Sequence, residues 1–184
     1  MLVLTRRALT LAGAATLTAG ALPRKARAGT LTEATRPLPD LAFTDAAGKP
    51  HSVADFPGKA LVINLWATWC APCVQEMPAL DRLQSALGAE GFTILPLSSD
   101  RGGAPQVQAF YERLAIRHLG IWLDPRGAAT RAFAARGLPT TIIVDRAAQE
   151  RARLEGAAEW DAPDMQSALR RLAGEAAQQA WGGR

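Results

Sequence analysis

The chain has 184 residues, 48% of them apolar, which suits one domain with a proper core and excludes a small fold that depends on disulfide staples. The formal charge of +4 is uneven: residues 1–28 hold Arg6, Arg7, Arg24, Lys25 and Arg27 and no acid, so the remainder carries 16 basic against 17 acidic residues, net −1. A domain of that charge with no basic block excludes nucleic acid as its partner.

Residues 1–28 read as an export signal. Thr5-Arg6-Arg7-Ala8-Leu9 opens it, a weakly apolar run follows from Ala8 to Leu22, and Ala26-Arg27-Ala28 supplies the small residues a signal peptidase needs. The run is 15 residues rich in Ala, Gly and Thr, whereas a membrane span takes about 20 strongly apolar residues. Cleavage after Ala28 is expected rather than anchoring. The arginine pair resembles a twin-arginine signal, with Sec export still open. The mature protein is thereby expected in the periplasm, where disulfides persist.

Residues 29–37 read as a flexible lead-in, and Leu38–Phe56 as strand, turn and strand around Asp45-Ala46-Ala47-Gly48. Leu61–Ala67 is a continuous apolar run of strand length, broken only by Asn64, as in a strand buried on both faces. A helix follows, with Cys73, Met77, Leu80, Leu83 and Leu87 as its apolar seam. Pro78 inside it removes a hydrogen bond to the Val74 carbonyl and predicts a kink. Phe92–Leu97 is a second buried strand, Ser98–Gly103 a loop, Pro105–Ala115 a helix, Ile121–Leu123 a short strand and Gly127–Ala135 a helix. Thr140–Val144 and Arg151–Leu154 read as a hairpin, and Asp161 as the cap of a last helix ending at Ala173. The tail covers 174–184. Strands alternating with helices, plus two hairpins, predict an α/β fold. Its mixed central sheet is flanked by helices on both faces, with an added N-terminal β-hairpin.

Cys70 and Cys73 are the only cysteines. Cys70 falls at the junction of a buried strand and a helix, and Pro72 suits the first helical turn. Unpaired N–H groups and the helix dipole there favour a thiolate, so Cys70 is the expected attacking thiol and Cys73 the resolving one. A zinc site needs about four ligands, and only His51 and His118 are available, in segments that nothing brings to Cys70. Both read as structural or surface residues. A purely structural bridge is disfavoured because so short a loop constrains the unfolded chain little. Soft thiolates suit Cu(I), which keeps a copper site open.

Leu65-Trp66-Ala67-Thr68-Trp69-Cys70-Ala71-Pro72-Cys73 resembles the active site of the thioredoxin superfamily, and Gly137-Leu138-Pro139-Thr140 resembles its cis-proline loop. The likeness covers residues 38–173, the expected thioredoxin-like domain. Within the superfamily the chain resembles the TlpA/ResA/CcmG branch of exported reductases. The shared features are the opening hairpin, from Leu38-Pro39-Asp40 to Phe56-Pro57-Gly58-Lys59, and Cys73-Val74-Gln75-Glu76-Met77-Pro78. The resemblance implies a cis bond before Pro139, with the Leu138 backbone pairing with the substrate chain. It also places Trp69 and Pro72 at the substrate surface. Asn64 stands where thioredoxin itself has a proton-accepting aspartate, and reads as a buried amide satisfying backbone groups. Glu76, three residues after Cys73, is expected to relay protons to or from that thiol, whereas Asp81 reads as a solvated helix charge. Core packing accounts for Trp66.

The function so implied is a periplasmic thiol–disulfide oxidoreductase that reduces protein disulfides, with apocytochrome c or copper-site cysteines as substrates. A membrane donor of the DsbD/CcdA type would recharge it. No metal or other cofactor is implied. A DsbA-type oxidant lacks room for its helical insertion. A Cu(I) metallochaperone remains as an alternative, although the related exported family spaces its cysteines by three and adds a histidine. A peroxiredoxin pattern does not match. Direction of electron flow and partner stay open.

Overall fold

A computed structural model describes residues 30–174; the expected export signal, and the expected tail beyond Gly174, lie outside the described residues. The elements in chain order are β1 (Thr32–Pro37), β2 (Ala42–Asp45), β3 (Pro50–Ser52), β4 (Ala60–Trp66), α1 (Ala71–Leu87), β5 (Phe92–Ser98), α2 (Gly103–Leu114), β6 (Trp122–Leu123), α3 (Ala128–Ala132), β7 (Thr140–Val144), β8 (Gln149–Glu155) and α4 (Pro163–Leu172). Among the described residues no helix is long and apolar enough to cross a membrane.

The strands form one mixed sheet in the order β1-β8-β7-β4-β5-β6-β2-β3. β4 and β5 are parallel, joined through α1, and β5 and β6 are parallel, joined through α2. β7 runs antiparallel to both β4 and β8. Every residue of β4 is buried, as its uninterrupted apolar run requires. Its alternate residues feed two cores. Ala60, Val62 and Trp66 pack with α1, α2 and α4 through Met77, Leu80, Leu83, Phe110 and Leu169. Leu61, Ile63 and Leu65 face Ala129 and Phe133 at α3, together with Leu41 and Phe43 of the first hairpin. The expected α1 seam is fully buried at Cys73, Met77, Leu80, Leu83 and Leu87, and α1 continues through Pro78 as one helix.

Two local expectations are corrected. Within the expected flexible lead-in at 29–37, Thr32–Pro37 is instead a strand on the sheet edge, antiparallel to β8 with Thr32 opposite Arg153 and Pro37 opposite Gln149. It is almost wholly exposed, so no apolar alternation announces it; backbone pairing and the Glu33–Arg171 ion pair (2.7 Å) hold it. Asp161 does not cap α4. The cap residue is Ala162, Pro163 starts the helix, and the Asp161 carboxylate instead accepts from Arg82 Nε at 2.6 Å.

Candidate active site

The C-terminal end of β4 runs through Thr68 and Trp69 into the first turn of α1, and this carries the two cysteines to the end of a central strand of the sheet. Cys70 is the N-cap of α1, in an extended conformation, and Pro72 lies in the first helical turn. Cys70 and Cys73 are joined in a disulfide with Cα atoms 5.3 Å apart. The Cys73 amide N–H donates to Cys70 Sγ at 3.4 Å. Cys70 keeps 7% of its surface accessible and Cys73 none. The helix end therefore aims an N–H and its dipole at the more accessible sulfur, the arrangement that favours a thiolate there once the bridge is opened.

Trp69, 70% exposed, is the large apolar side chain left in solvent among the described residues, and it stands directly before Cys70. Trp66 is fully buried against Phe110 and Tyr111, with ring centroids 5.0 and 6.2 Å away. The Leu138–Pro139 peptide bond is cis. Thr140 pairs with Leu65 across β7 and β4, so the Gly137–Pro139 loop leaves the sheet at the same end as the cysteine turn.

Glu76 is 3% exposed, one turn beyond Cys73 on α1. Its Oε1 accepts from Asn64 Nδ2 at 2.9 Å; its Oε2 accepts from the Ala158 amide at 3.0 Å and from Trp160 Nε1 at 2.8 Å. Burial pushes the carboxyl up to about 7, against the pull of the three donors. The same side chain lines a cleft of about 540 Å³ with Ala79, Arg82, Ala158 and Glu159. Asn64 serves side chains, not backbone groups as expected: its second N–H reaches Thr141 Oγ1 at 2.9 Å, its cross-strand neighbour. Glu76 therefore sits where a carboxyl near neutrality can take up or give back a proton.

Several residues were not singled out by the sequence. Trp160 and Ala158 lie in a segment without periodicity, and only the folded chain brings them to Glu76. Asp100, 1% exposed, accepts from the Thr68 amide (2.9 Å), Thr68 Oγ1 (2.8 Å), Ser98 Oγ (2.8 Å) and Gln106 Nε2 (2.9 Å), and so pins the residues before Cys70 to the end of β5. The available signal was Ser98 and Asp100 closely following a buried strand. Asp81 is not a solvated charge: it is 7% exposed, and its Oδ1 accepts from the amides of Arg117, His118 and Leu119 at 3.1, 2.6 and 3.1 Å. That contact binds the loop after α2 to α1. His51 lies between Asp45 and Asp55 in the first hairpin. Among the described residues, no group of three or more His, Cys, Asp or Glu side chains is placed to share a metal ion.

The family model described as Redoxin matches residues 33–169. The chain belongs to the Redoxin family. It is 33% identical over 110 residues to the thiol-disulfide oxidoreductase ResA of Geobacillus thermodenitrificans, covering 59% of this chain and 61% of that protein. It is 32% identical over 108 residues to the thioredoxin-like protein YneN of Bacillus subtilis, covering 58% and 62%. The match thus spans less than two thirds of these relatives' length. The thioredoxin domain of a thiol-disulfide oxidoreductase from Bacteroides vulgatus superposes with a TM-score of 0.64 at 23% identity, covering 77% of this chain and 99% of the other. A secreted thiol-disulfide isomerase from Corynebacterium glutamicum gives 0.63 at 22% identity, covering 76% and 90%. The fold is thioredoxin-like, and the ResA relatives agree with the branch that the active-site and hairpin motifs resemble.

Proposed function

We propose that this Redoxin-family chain is a thiol–disulfide oxidoreductase that reduces disulfides of exported proteins through a Cys70–Cys73 dithiol/disulfide cycle. The observation that carries the reading is the bridged pair at the start of α1, with Sγ of Cys70, the less buried of the two cysteines, receiving the Cys73 N–H. The Cys70 thiolate attacks one sulfur of the substrate disulfide, and the other sulfur leaves as a thiolate and takes a proton. Cys73 then loses its proton and attacks Cys70 in the mixed disulfide. The second substrate sulfur leaves and is protonated, two electrons have passed to the substrate, and the Cys70–Cys73 bridge remains. Glu76 is the relay we assign to the Cys73 proton, because a carboxyl pushed up to about 7 exchanges protons near neutral pH. Trp69, Pro72 and the Leu138 backbone before cis-Pro139 form the surface on which the substrate chain lies.

The leader over residues 1–28 supports a periplasmic site of action. There a membrane dithiol donor of the DsbD/CcdA type returns the pair to its reduced form, and apocytochrome c or copper-site cysteines are the substrates in view. The test is a Cys73→Ala variant expressed in the export-competent host. Cys70 then holds its substrate as a mixed disulfide that dithiothreitol releases, and identification of the released protein names the substrate. Recovery of the variant with no disulfide-linked protein, under conditions where a known exported reductase traps its own, overturns the reading.

A further inference from the structure

The Glu76 carboxyl has three fixed points of contact, and only one can reverse its polarity. Oε2 accepts two N–H groups, from the Ala158 backbone and the Trp160 indole. Both donors are built into rigid groups that carry no acceptor in that direction. A proton added to the carboxyl is therefore directed to Oε1. There it meets the Nδ2 group of Asn64 at 2.9 Å, and two donors face each other in a fully buried site. Such a contact leaves both donors unsatisfied.

Asn64 holds the means to resolve it. Its Oδ1 is buried without a hydrogen-bond partner, although both hydrogens of Nδ2 are engaged. Buried amide oxygens in folded proteins are mostly paired, so this orphan calls for an explanation. A half-turn of the terminal amide torsion, which is broad and roughly two-fold, exchanges the two ends. Oδ1 then receives the Glu76 hydroxyl. Its other neighbour, Thr141 Oγ1, is a hydroxyl that donates as readily as it accepts, so this contact survives either way. In each position the end of the amide turned away from Glu76 and Thr141 is left unpaired.

We propose that the Asn64 side-chain amide is a two-position switch: Nδ2 faces Glu76 when the carboxylate is ionised, and the amide turns to present Oδ1 when Glu76 is protonated. The amide thus partners both forms of the carboxyl at the buried margin of the cleft. β4 presents the uncharged Asn64 to Glu76, and β7 presents the uncharged Thr141 to Asn64. The charged groups beside it are Glu159 and the Arg82–Asp161 pair (2.6 Å) along the cleft, and Cys73 lies one turn earlier on α1. With Glu76 as the proton relay, Asn64 is a positioning residue for the thiol chemistry, and this role rests on the oxidoreductase reading.

The experiment follows nuclear Overhauser contacts between the Asn64 amide hydrogens and the Thr141 methyl group, together with the Glu76 carboxyl carbon shift, across a pH titration of the oxidised protein. The contacts are expected when Glu76 is ionised, and are lost with the same midpoint as the carboxyl titrates. In Glu76→Gln, whose amide hydrogens mimic the protonated acid, they are absent at every pH. Contacts that persist on the acid side in the wild type, or in Glu76→Gln, overturn the switch. If Glu76→Gln does not fold, the wild-type titration decides alone. Insulin reduction assayed on the same wild-type protein separates the two claims. Absence of turnover overturns the oxidoreductase reading, and the switch still stands or falls on the contacts.

Discussion

The Trp160 indole donates a 2.8 Å hydrogen bond to Glu76 Oε2, joining residues 84 positions apart. This donor opposes the effect of burial and draws the carboxyl back towards its ionised form. Trp160→Phe keeps an aromatic ring in the buried site and removes the donor. A hydrogen bond to a charged group is worth about 1.5–3 kcal/mol, so the Glu76 midpoint is expected to rise by about one pH unit or more. Carbon-13 titration of the Glu76 carboxyl measures it, and an unmoved midpoint counts against the bond.

Glu76 also gives stability a pH slope of known sign. Its carboxyl rises from 4.5 to about 7 on folding, so between those values the native chain holds a proton that the unfolded chain has lost. The stabilisation is complete below 4.5, declines as pH rises through about 7, and is gone above it. The full excursion is at most about 3 kcal/mol. Urea unfolding at a series of pH values is expected to show this decline in the wild type and a flatter profile in Glu76→Gln.

The same substitution bears on the chemistry. With the relay removed, the pH profile of thiol reactivity in Glu76→Gln is expected to lose the inflection near neutrality, read by alkylation rates of the reduced protein. An identical profile in both proteins sinks the relay.

Asp81 predicts a purely structural defect. Asp81→Ala strands the amides of Arg117, His118 and Leu119 that now share its Oδ1. A loss of about 3 kcal/mol is expected, with the reactivity profile of Cys70 unchanged. Asp81→Asn, which keeps an acceptor oxygen, recovers part of the loss in the same unfolding assay.

Asp100 predicts a mixed one. Its carboxylate holds Thr68 by both backbone and side chain, two residues before Cys70. Asp100→Ala is expected to lower the unfolding midpoint and, assayed well below that midpoint, to slow insulin reduction several-fold. Normal turnover in a destabilised variant limits Asp100 to a stabilising role.

What was legible in the sequence followed from local rules. Leu61–Ala67 reads as a strand buried on both faces because its apolar run is unbroken except at Asn64, and α1 reads from the spacing of Cys73, Met77, Leu80, Leu83 and Leu87. The cysteine turn was legible because cysteine, proline and helix start lie within four residues. By contrast, β1 shows no alternation, since a strand exposed along nearly its whole length is specified by its neighbour's backbone. Asp161 matched the cap pattern, yet Pro163 starts the helix and Arg82 takes the carboxylate.

The sequence by itself determined the chemistry on offer: two thiols one helical turn apart, a carboxyl on the next turn, and a proline preceding a buried strand. It also determined the α/β class, since periodicity is a property of neighbours along the chain. Only the tertiary structure decided how those groups are tuned. The proton affinity of Glu76 depends on Asn64 from β4 and on Ala158 and Trp160 from the segment before α4, and the seat of Cys70 depends on Asp100 at the end of β5. Hydrogen bonds and burial act over a few ångströms of space, and the distance between these residues along the chain carries no trace of that proximity.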